Sequence, residues 1–444
     1  MSPTDAPAEE PLTLEEIREG WSLFDAEERV EAFKQVLRSD AEDFFLDLSA
    51  HDQASLVLGL APTDRRSWLR LLAPDDAADL MQEVPVEQRP ALIALLDDVT
   101  QKDVTGLLVF AEDDAGGLMN PRYARLRPEI GVDEAISYLR KLARERLGTI
   151  YYAYVLDAEM HLLGAVSLRD LFAAAPDKLV RDVMATEVIK ADAEMDQEAL
   201  AKLFARHDLV AIPIVDAENR MKGIVTVDDI VDVVREEATE DIQHIGGTEA
   251  LDEPYLTGRF FSMVRKRAGW LAALFIGELF TATAMQGYEE ELKAAPVLMM
   301  FLPLIISSGG NSGSQATTLV IRAMALGEVK LRDWWRVIRR ELASGLALGA
   351  LLAPIGVVRI LIWQALGWAN YTRYYGRVAL SVGLAVIGIV MWGTLAGSML
   401  PFILRRLGFD PARASAPFVA TLVDVSGLVI YFTISSVVLA GALL

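Results

Sequence analysis

Hydrophobic positions are spaced in two different ways along this chain. After residue 267 they merge into five long apolar segments, roughly 268–285, 296–325, 342–366, 378–400 and 417–444. A bilayer core of about 30 Å needs roughly 20 helical residues, so each segment predicts a membrane span. Before residue 120 the apolar positions come in short amphipathic groups. There "LAPTDR", "LAPDDA" and "VPVEQR" place Pro62, Pro74 and Pro85 ahead of acids suited to a helix first turn, which predicts a compact array of short helices. Between 121 and 246 the pattern alternates as strand, turn, strand and helix, and it does so twice.

Charge divides the chain at nearly the same place. Residues 1–250 hold 52 acidic and 25 basic side chains, whereas 251–444 hold 11 and 17. So acidic an excess argues against nucleic-acid binding and suits the attraction of cations. There is no cysteine among the 444 residues, which excludes disulfides, thiolate metal sites and thiol catalysis. No Walker loop, hydrolase motif or kinase motif is present, so no enzyme activity is expected. The start, "MSPTDAPAEEP", lacks a basic region and an apolar core, so it does not read as a signal peptide. Basic side chains collect at "RKR" (265–267), at Lys330, Arg332, Arg336, Arg339 and Arg340, and at Arg405, Arg406 and Arg413. The alternate loops hold fewer, which places these loops and the N-terminus inside and the C-terminus outside.

Two spans carry polar groups that lipid does not favour. The second reads "PLIISSGGNSGSQATTLVIR", with Asn311 and Gln315 among glycines and serines. Small residues permit close helix packing. The polar groups favour instead a distorted helix lining a wet path. The fifth, from 417 to 444, holds one charged side chain, Asp424, with Ala416, Ala420, Thr421, Gly427 and Tyr431 on its helical face. A charge inside the membrane costs at least about 2.5 kcal/mol, which makes a functional site the default reading. The only Lys or Arg candidates near that depth are Arg322 and Arg359, both nearer span ends, so the counter-ion is read as a mobile cation. Glu278, in "FIGELF" of the first span, is a second intramembrane acid. It lines the same path or bonds across helices. With Asp424 it also admits a proton-coupled carrier.

The alternating region is a repeat. "YVLDAEMHLLGAVSLRDLF" (154–172) realigns with "PIVDAENRMKGIVTVDDIV" (213–231), pairing Asp157 with Asp216, Ser167 with Thr226 and Asp170 with Asp229. The copies resemble a tandem pair of cystathionine-β-synthase (CBS) domains. In that family the Ser/Thr and Asp can hold a nucleotide, which makes ATP a candidate ligand at Thr226 and Asp229. The plainer reading, an N-cap with a first-turn acid, carries more weight. Asp75, Asp76, Asp79 and Asp113 in the first domain, and Asp228, Asp229, Asp232, Glu236 and Asp241 after the second repeat, add to a dense acidic surface. Like charges four apart destabilise a helix, and divalent cations between domains would compensate.

The order is an all-α acidic helical domain (1–120), an α/β tandem CBS module (121–246), a connecting helix (247–267) and a transmembrane domain of five helices (268–444). With "SSGGNSGSQATTLVIRAMALGEV" and "PFVATLVDVSGLVIYF" in spans two and five, this closely resembles the MgtE family of magnesium channels. The resemblance implies a homodimer in the bacterial cytoplasmic membrane, with a pore on the dimer axis lined by spans two and five. It implies Mg²⁺ binding at Asp424, and Mg²⁺ binding at acidic cytosolic interfaces that closes the pore. It also implies a plugging role for the connector, about 252–265. Some members have Asn where this chain has Ala416, at the cytoplasmic end of the pore.

Overall fold

The computed structural model describes residues 13–441 apart from 22, 145–149, 252–254, 256–257, 259 and 372. The extreme N-terminus and part of the connector therefore lie outside the described residues. The chain divides into two compact units, one ending at Glu237 and the other beginning at Ala238.

The first unit opens with short helices: α1 (Leu14–Gly20), α2 (Ala26–Gln35), α3 (Arg38–Leu46), α4 (Ala50–Gly59), α5 (Pro62–Leu69), α6 (Pro74–Glu83), α7 (Arg89–Ile93) and α8 (Asp98–Leu107). Their starts follow from the sequence. Thr13 and Asp25 form capping boxes with Glu16 and Glu28. Pro62 and Pro74 sit at the first helical position, where a missing N–H is harmless. Pro85 differs. It opens a turn in which its carbonyl accepts from Gln88, and the next helix begins only at Arg89. Phe33, Phe44, Phe45 and Trp68 cluster with ring centroids 4.8 to 6.5 Å apart, and they anchor a core that also buries Leu56, Val57, Leu80 and Met81.

Two three-stranded sheets follow. The first holds β1 (Arg125–Leu126), β2 (Tyr152–Leu156) and β3 (Leu162–Ser167), with α9 (Val132–Leu142) and α10 (Leu168–Ala173). The second holds β4 (Ala191–Asp192), β5 (Ala211–Val215) and β6 (Met221–Thr226), with α11 (Gln197–His207) and α12 (Val227–Ile245). The copies share register, since Leu156 pairs with Leu162 as Val215 pairs with Met221. The repeat read in the sequence is thus two copies of one β-α unit.

The second unit contains α13 (Phe260–Gly287), α14 (Glu289–Ala294), α15 (Leu302–Ala325), α16 (Trp334–Ala365), α17 (Tyr375–Arg406) and α18 (Ala416–Leu439). Five helical stretches among the described residues are long and apolar enough to cross a membrane. Of the expected connecting helix over 247–267, the described residues before 260 are not helical, and 252–254, 256–257 and 259 lie outside the described residues. α12 stops at Ile245, Gly247 turns the chain at φ +76°, and residues from Phe260 onward already belong to α13. A left-handed residue ends a helix readily when it is glycine.

The expected distortion of the second span is also absent. α15 is one unbroken helix, and its glycines serve packing. A Cβ on Gly393 would lie 2.3 Å from the Gly309 carbonyl oxygen, and one on Gly397 would lie 2.2 Å from that of Gly313. Two rows of glycines four residues apart therefore bring α15 and α17 into backbone contact. Thr317 strengthens the contact by donating to the Gly397 carbonyl at 2.8 Å.

Candidate metal sites

α18 begins where Ser415 accepts from the Phe418 N–H at 3.3 Å and from the Trp270 indole of α13 at 3.0 Å. Ser314 of α15 donates to the Ala416 carbonyl at 3.1 Å. One turn and two turns further, Ala420 and Asp424 face α15 at Gly310. A Cβ there would sit 3.4 Å from the Ala420 methyl and 3.8 Å from Asp424 Oδ1. On the other side Thr421 meets α13, with its methyl 2.8 Å from the Cβ position of Gly277.

Asp424 is half-buried and makes no hydrogen bond or ion pair among the described residues. The charge that acts on it is another acid, Glu278, the neighbour of Gly277 in sequence. Glu278 is itself exposed on α13 and, among the described residues, makes neither ion pair nor hydrogen bond. The sequence expected no basic partner at this depth, and none acts here. The rest of the expected stripe departs from the path. Gly427 is buried against Ile389 of α17, and Tyr431 donates to the Leu298 carbonyl at 3.0 Å. A 3.6-residue period keeps both positions on Asp424's side of α18, and it is the neighbouring elements that cover them there. Gly427 is therefore a packing position. Asn311 and Gln315 are exposed, and with Ser307 and Thr318 they form a polar row on α15 that its own bundle leaves uncovered.

The second constellation lies in the first unit. Asp75, Asp76 and Asp79 of α6 converge with Asp228, Asp229 and Glu236 of α12. Asp75 is buried and accepts from Asn120 Nδ2 at 3.0 Å. Burial pushes its carboxyl well above the usual range, and the charges of Asp76, Asp229 and Asp79 add to this. Burial, then Asp76, Glu112, Asp229 and Glu236, push Asp79 up to about 8. Asp76 is raised by burial and by Asp228. Asp229 is pushed up to about 6 by burial, against the two hydrogen bonds it accepts from Thr226. Among the described residues, no basic side chain is a leading influence on these four carboxyls. Such a group either holds protons or holds a cation.

Three expected members do not join. Asp113 is exposed, and its neighbour Glu112 acts on the cluster instead. Glu112 is exposed as well, and it is its charge that reaches Asp79. Asp232 points to solvent and approaches Arg235 at 3.6 Å. Asp241 belongs to the second unit, apart from the α6 carboxylates of the first. The nucleotide candidates Thr226 and Asp229 bond to each other at 2.7 Å, as Ser167 and Asp170 do at 2.6 Å. Ser167 also caps α10 by accepting from the Asp170 N–H at 3.1 Å, the N-cap arrangement that the sequence reading preferred, while Thr226 donates both its N–H and its hydroxyl to Asp229.

Asp157, Glu159 and His161 bring ligand atoms within 4.8 Å of one another. Asp157 already caps its own turn, accepting from the Glu159 and His161 N–H groups. In the second copy Asp216 caps the same turn, with Lys222 as its charge partner. The shared feature is turn capping.

Comparison with known proteins supplies the remaining information. The MgtE divalent cation transporter profile matches residues 302–434, the MgtE intracellular N domain matches 12–113 and the CBS domain matches 180–236. A magnesium transporter MgtE of Thermus thermophilus is 38% identical over 94% of this chain and 91% of its own length. One from Enterococcus faecalis is 30% identical over 92% of this chain and 95% of its own. A solved cytosolic domain of the Mg²⁺ channel MgtE in complex with ATP is 37% identical, covers 49% of this chain and 89% of that one, and superposes with a TM-score of 0.46.

Proposed function

This chain belongs to the MgtE family of magnesium transporters, and from that premise we propose that it is a Mg²⁺ channel closed by the ion it conducts. Mg²⁺ is its transported ion and five apolar helices embed it in a membrane. The proposal adds mechanism. Two chains pair so that the uncovered polar row of α15 and the Ala420–Asp424 face of α18 line a path between them. The membrane is the bacterial cytoplasmic one, with the N-terminus inside and the C-terminus outside, and flow is inward.

The observation that carries this reading is Asp424, a membrane carboxylate with small residues before it and, among the described residues, no hydrogen bond and no basic partner. Mg²⁺ gives up water reluctantly and is usually held through its waters by one or two carboxylates. Two Asp424 groups across a two-fold axis supply that charge, and Gly310 and Ala420 leave room for the hydration shell. A packing role would tolerate Asp424→Asn. An ion-binding role predicts that the variant inserts normally and loses most Mg²⁺ flux in vesicles, or loses its preference for divalent over monovalent ions. Wild-type flux and selectivity in this variant would end the proposal.

Regulation follows from the acidic cluster. Bound Mg²⁺ would offset the mutual repulsion of Asp75, Asp76, Asp79, Asp228, Asp229, Glu236 and Glu112, and favour the state in which α6 and α12 lie together. Rising internal Mg²⁺ then closes the pore through its greater affinity for that state. ATP at the CBS module is a subsidiary reading, and it competes with the cluster for Asp229. A proton-coupled carrier is the second mechanism, favoured by the pairing of Glu278 with Asp424. In that case flux would follow an imposed pH gradient at constant Mg²⁺ gradient.

A further inference from the structure

Within the second unit, the last turns of α12 rest on the loop that leads into α18. Ile245 packs with Ile321, Leu404, Ala412 and Ala414. Gly247 lies against Trp270 and Pro417, at contacts that leave no room for a side chain. Between them sits His244, whose side chain is only 12% exposed. Its Nδ1 lies 3.2 Å from Asp410 Oδ2 in the loop, and its Nε2 lies 3.6 Å from Glu240 Oε1 one turn earlier on α12. The charged groups that face it are these two carboxylates and Arg413. Asp410 in turn starts the 3-10 turn Pro411–Arg413 by accepting from Ala412 N–H at 2.8 Å. That turn ends at Ser415, the N-cap of the helix that carries Asp424.

We propose that His244 is a proton-operated latch that fastens the end of α12 to the 410–415 loop at the head of α18, so that the pore's response to internal Mg²⁺ depends on internal pH. The proposal rests on the Mg²⁺-closed reading above. α12 carries Asp228 and Asp229 near its start and His244 near its end. A change at the first end can act on α18 only while the other end holds the loop. Imidazolium hydrogen-bonds Asp410 and carries a charge within ion-pair range of Glu240, whereas neutral imidazole keeps at most the first contact and offsets neither carboxylate's charge.

The direction of the effect follows from the same groups. The Asp410 hydrogen bond raises the His244 imidazole above its ordinary range against the cost of burial, and Glu240 adds to the rise. Asp410 is held below its ordinary range by His244 and the Ala412 N–H despite its own burial. A raised imidazole stabilises the fastened state fully below about 6.5, its ordinary value, and loses that contribution as pH climbs through the raised one.

The test compares the full-length wild type with His244→Gln in vesicles, measuring the internal Mg²⁺ that halves the flux at internal pH 6 and 8.5. Protons also compete for the acidic cluster, but equally in both proteins, so the ratio between the two isolates His244. At pH 6 the variant should need several-fold more Mg²⁺, at most about tenfold for each unit by which fastening raises the imidazole. At pH 8.5 the ratio should collapse toward one. An equal ratio at both pH values overturns the latch. If wild-type flux ignores internal Mg²⁺ altogether, the gating reading has failed, and the latch contact is then judged by its own signature. With only four histidines in the chain, imidazole NMR can follow His244 directly. Its titration should move to lower pH in Asp410→Asn, and an unmoved titration overturns the contact.

Discussion

Asp79→Asn tests the acidic cluster most sharply, because the substitution keeps the shape of the side chain and removes the charge. Asp79 ionises at about 8 in the folded protein, against 3.8 for an ordinary aspartate, through burial and then through Asp76, Glu112, Asp229 and Glu236. The unfolded chain releases this proton near 4, and the folded one holds it until about 8. Without divalent ions Asp79 therefore costs stability increasingly as pH rises from 4 to 8, and the cost levels off above that. Four units at about 1.4 kcal/mol each bound this cost at roughly 5–6 kcal/mol. Asp79 is only half-buried, so solvent screening leaves an expected figure of about 2 kcal/mol at pH 8.5. Amide hydrogen exchange over α6 and α12 of the full-length protein in chelator reads this directly. Protection factors in Asp79→Asn should rise about thirtyfold at pH 8.5 and far less at pH 5. Added Mg²⁺ should then protect the wild type more than the variant, since it offsets the repulsion that the variant no longer has. Unchanged or lowered protection in the variant at pH 8.5, or an equal gain at both pH values, would refute the reasoning.

Other outcomes follow from the same geometry. Gly397→Ala drives a Cβ against the Gly313 carbonyl and should destabilise the membrane unit by about 1–3 kcal/mol, read as a lowered unfolding midpoint in detergent. Gly310→Ala meets only ordinary contacts at 3.4 Å or more, so it should fold normally while lowering Mg²⁺ flux by crowding Asp424. Asp232→Asn should leave internal Mg²⁺ inhibition unchanged while Asp76→Asn weakens it, because only the second lies in the cluster. Reporter fusions should find the 326–341 and 401–415 loops in the cytoplasm and the C-terminus outside.

What the sequence determined by itself was whatever depends on local pattern. Five apolar runs sufficed for five spans, because the length of a span is set by the bilayer and not by its neighbours. The 59-residue offset between Asp157 and Asp216 was enough to identify the repeat, since both copies use the same Asp-capped turn. Asp424 could be singled out because a lone carboxylate in an apolar run is costly wherever its neighbours lie. Tertiary structure decided what depends on which faces meet. The glycines of span two read as a distorted helix until α17 brought Gly393 and Gly397 onto Gly309 and Gly313, since composition does not say whether a small residue loosens its own backbone or lets another approach. Gly427 shares a sequence stripe with Asp424, yet Ile389 of α17 covers it. Of the adjacent exposed carboxylates Glu112 and Asp113, it is the charge of Glu112 that acts on Asp79, which depends on distances the sequence does not give. His244 carried no sequence signal, since its two carboxylate partners lie 4 residues before it and 166 after it. Only the fold brings the second of them within reach of the imidazole.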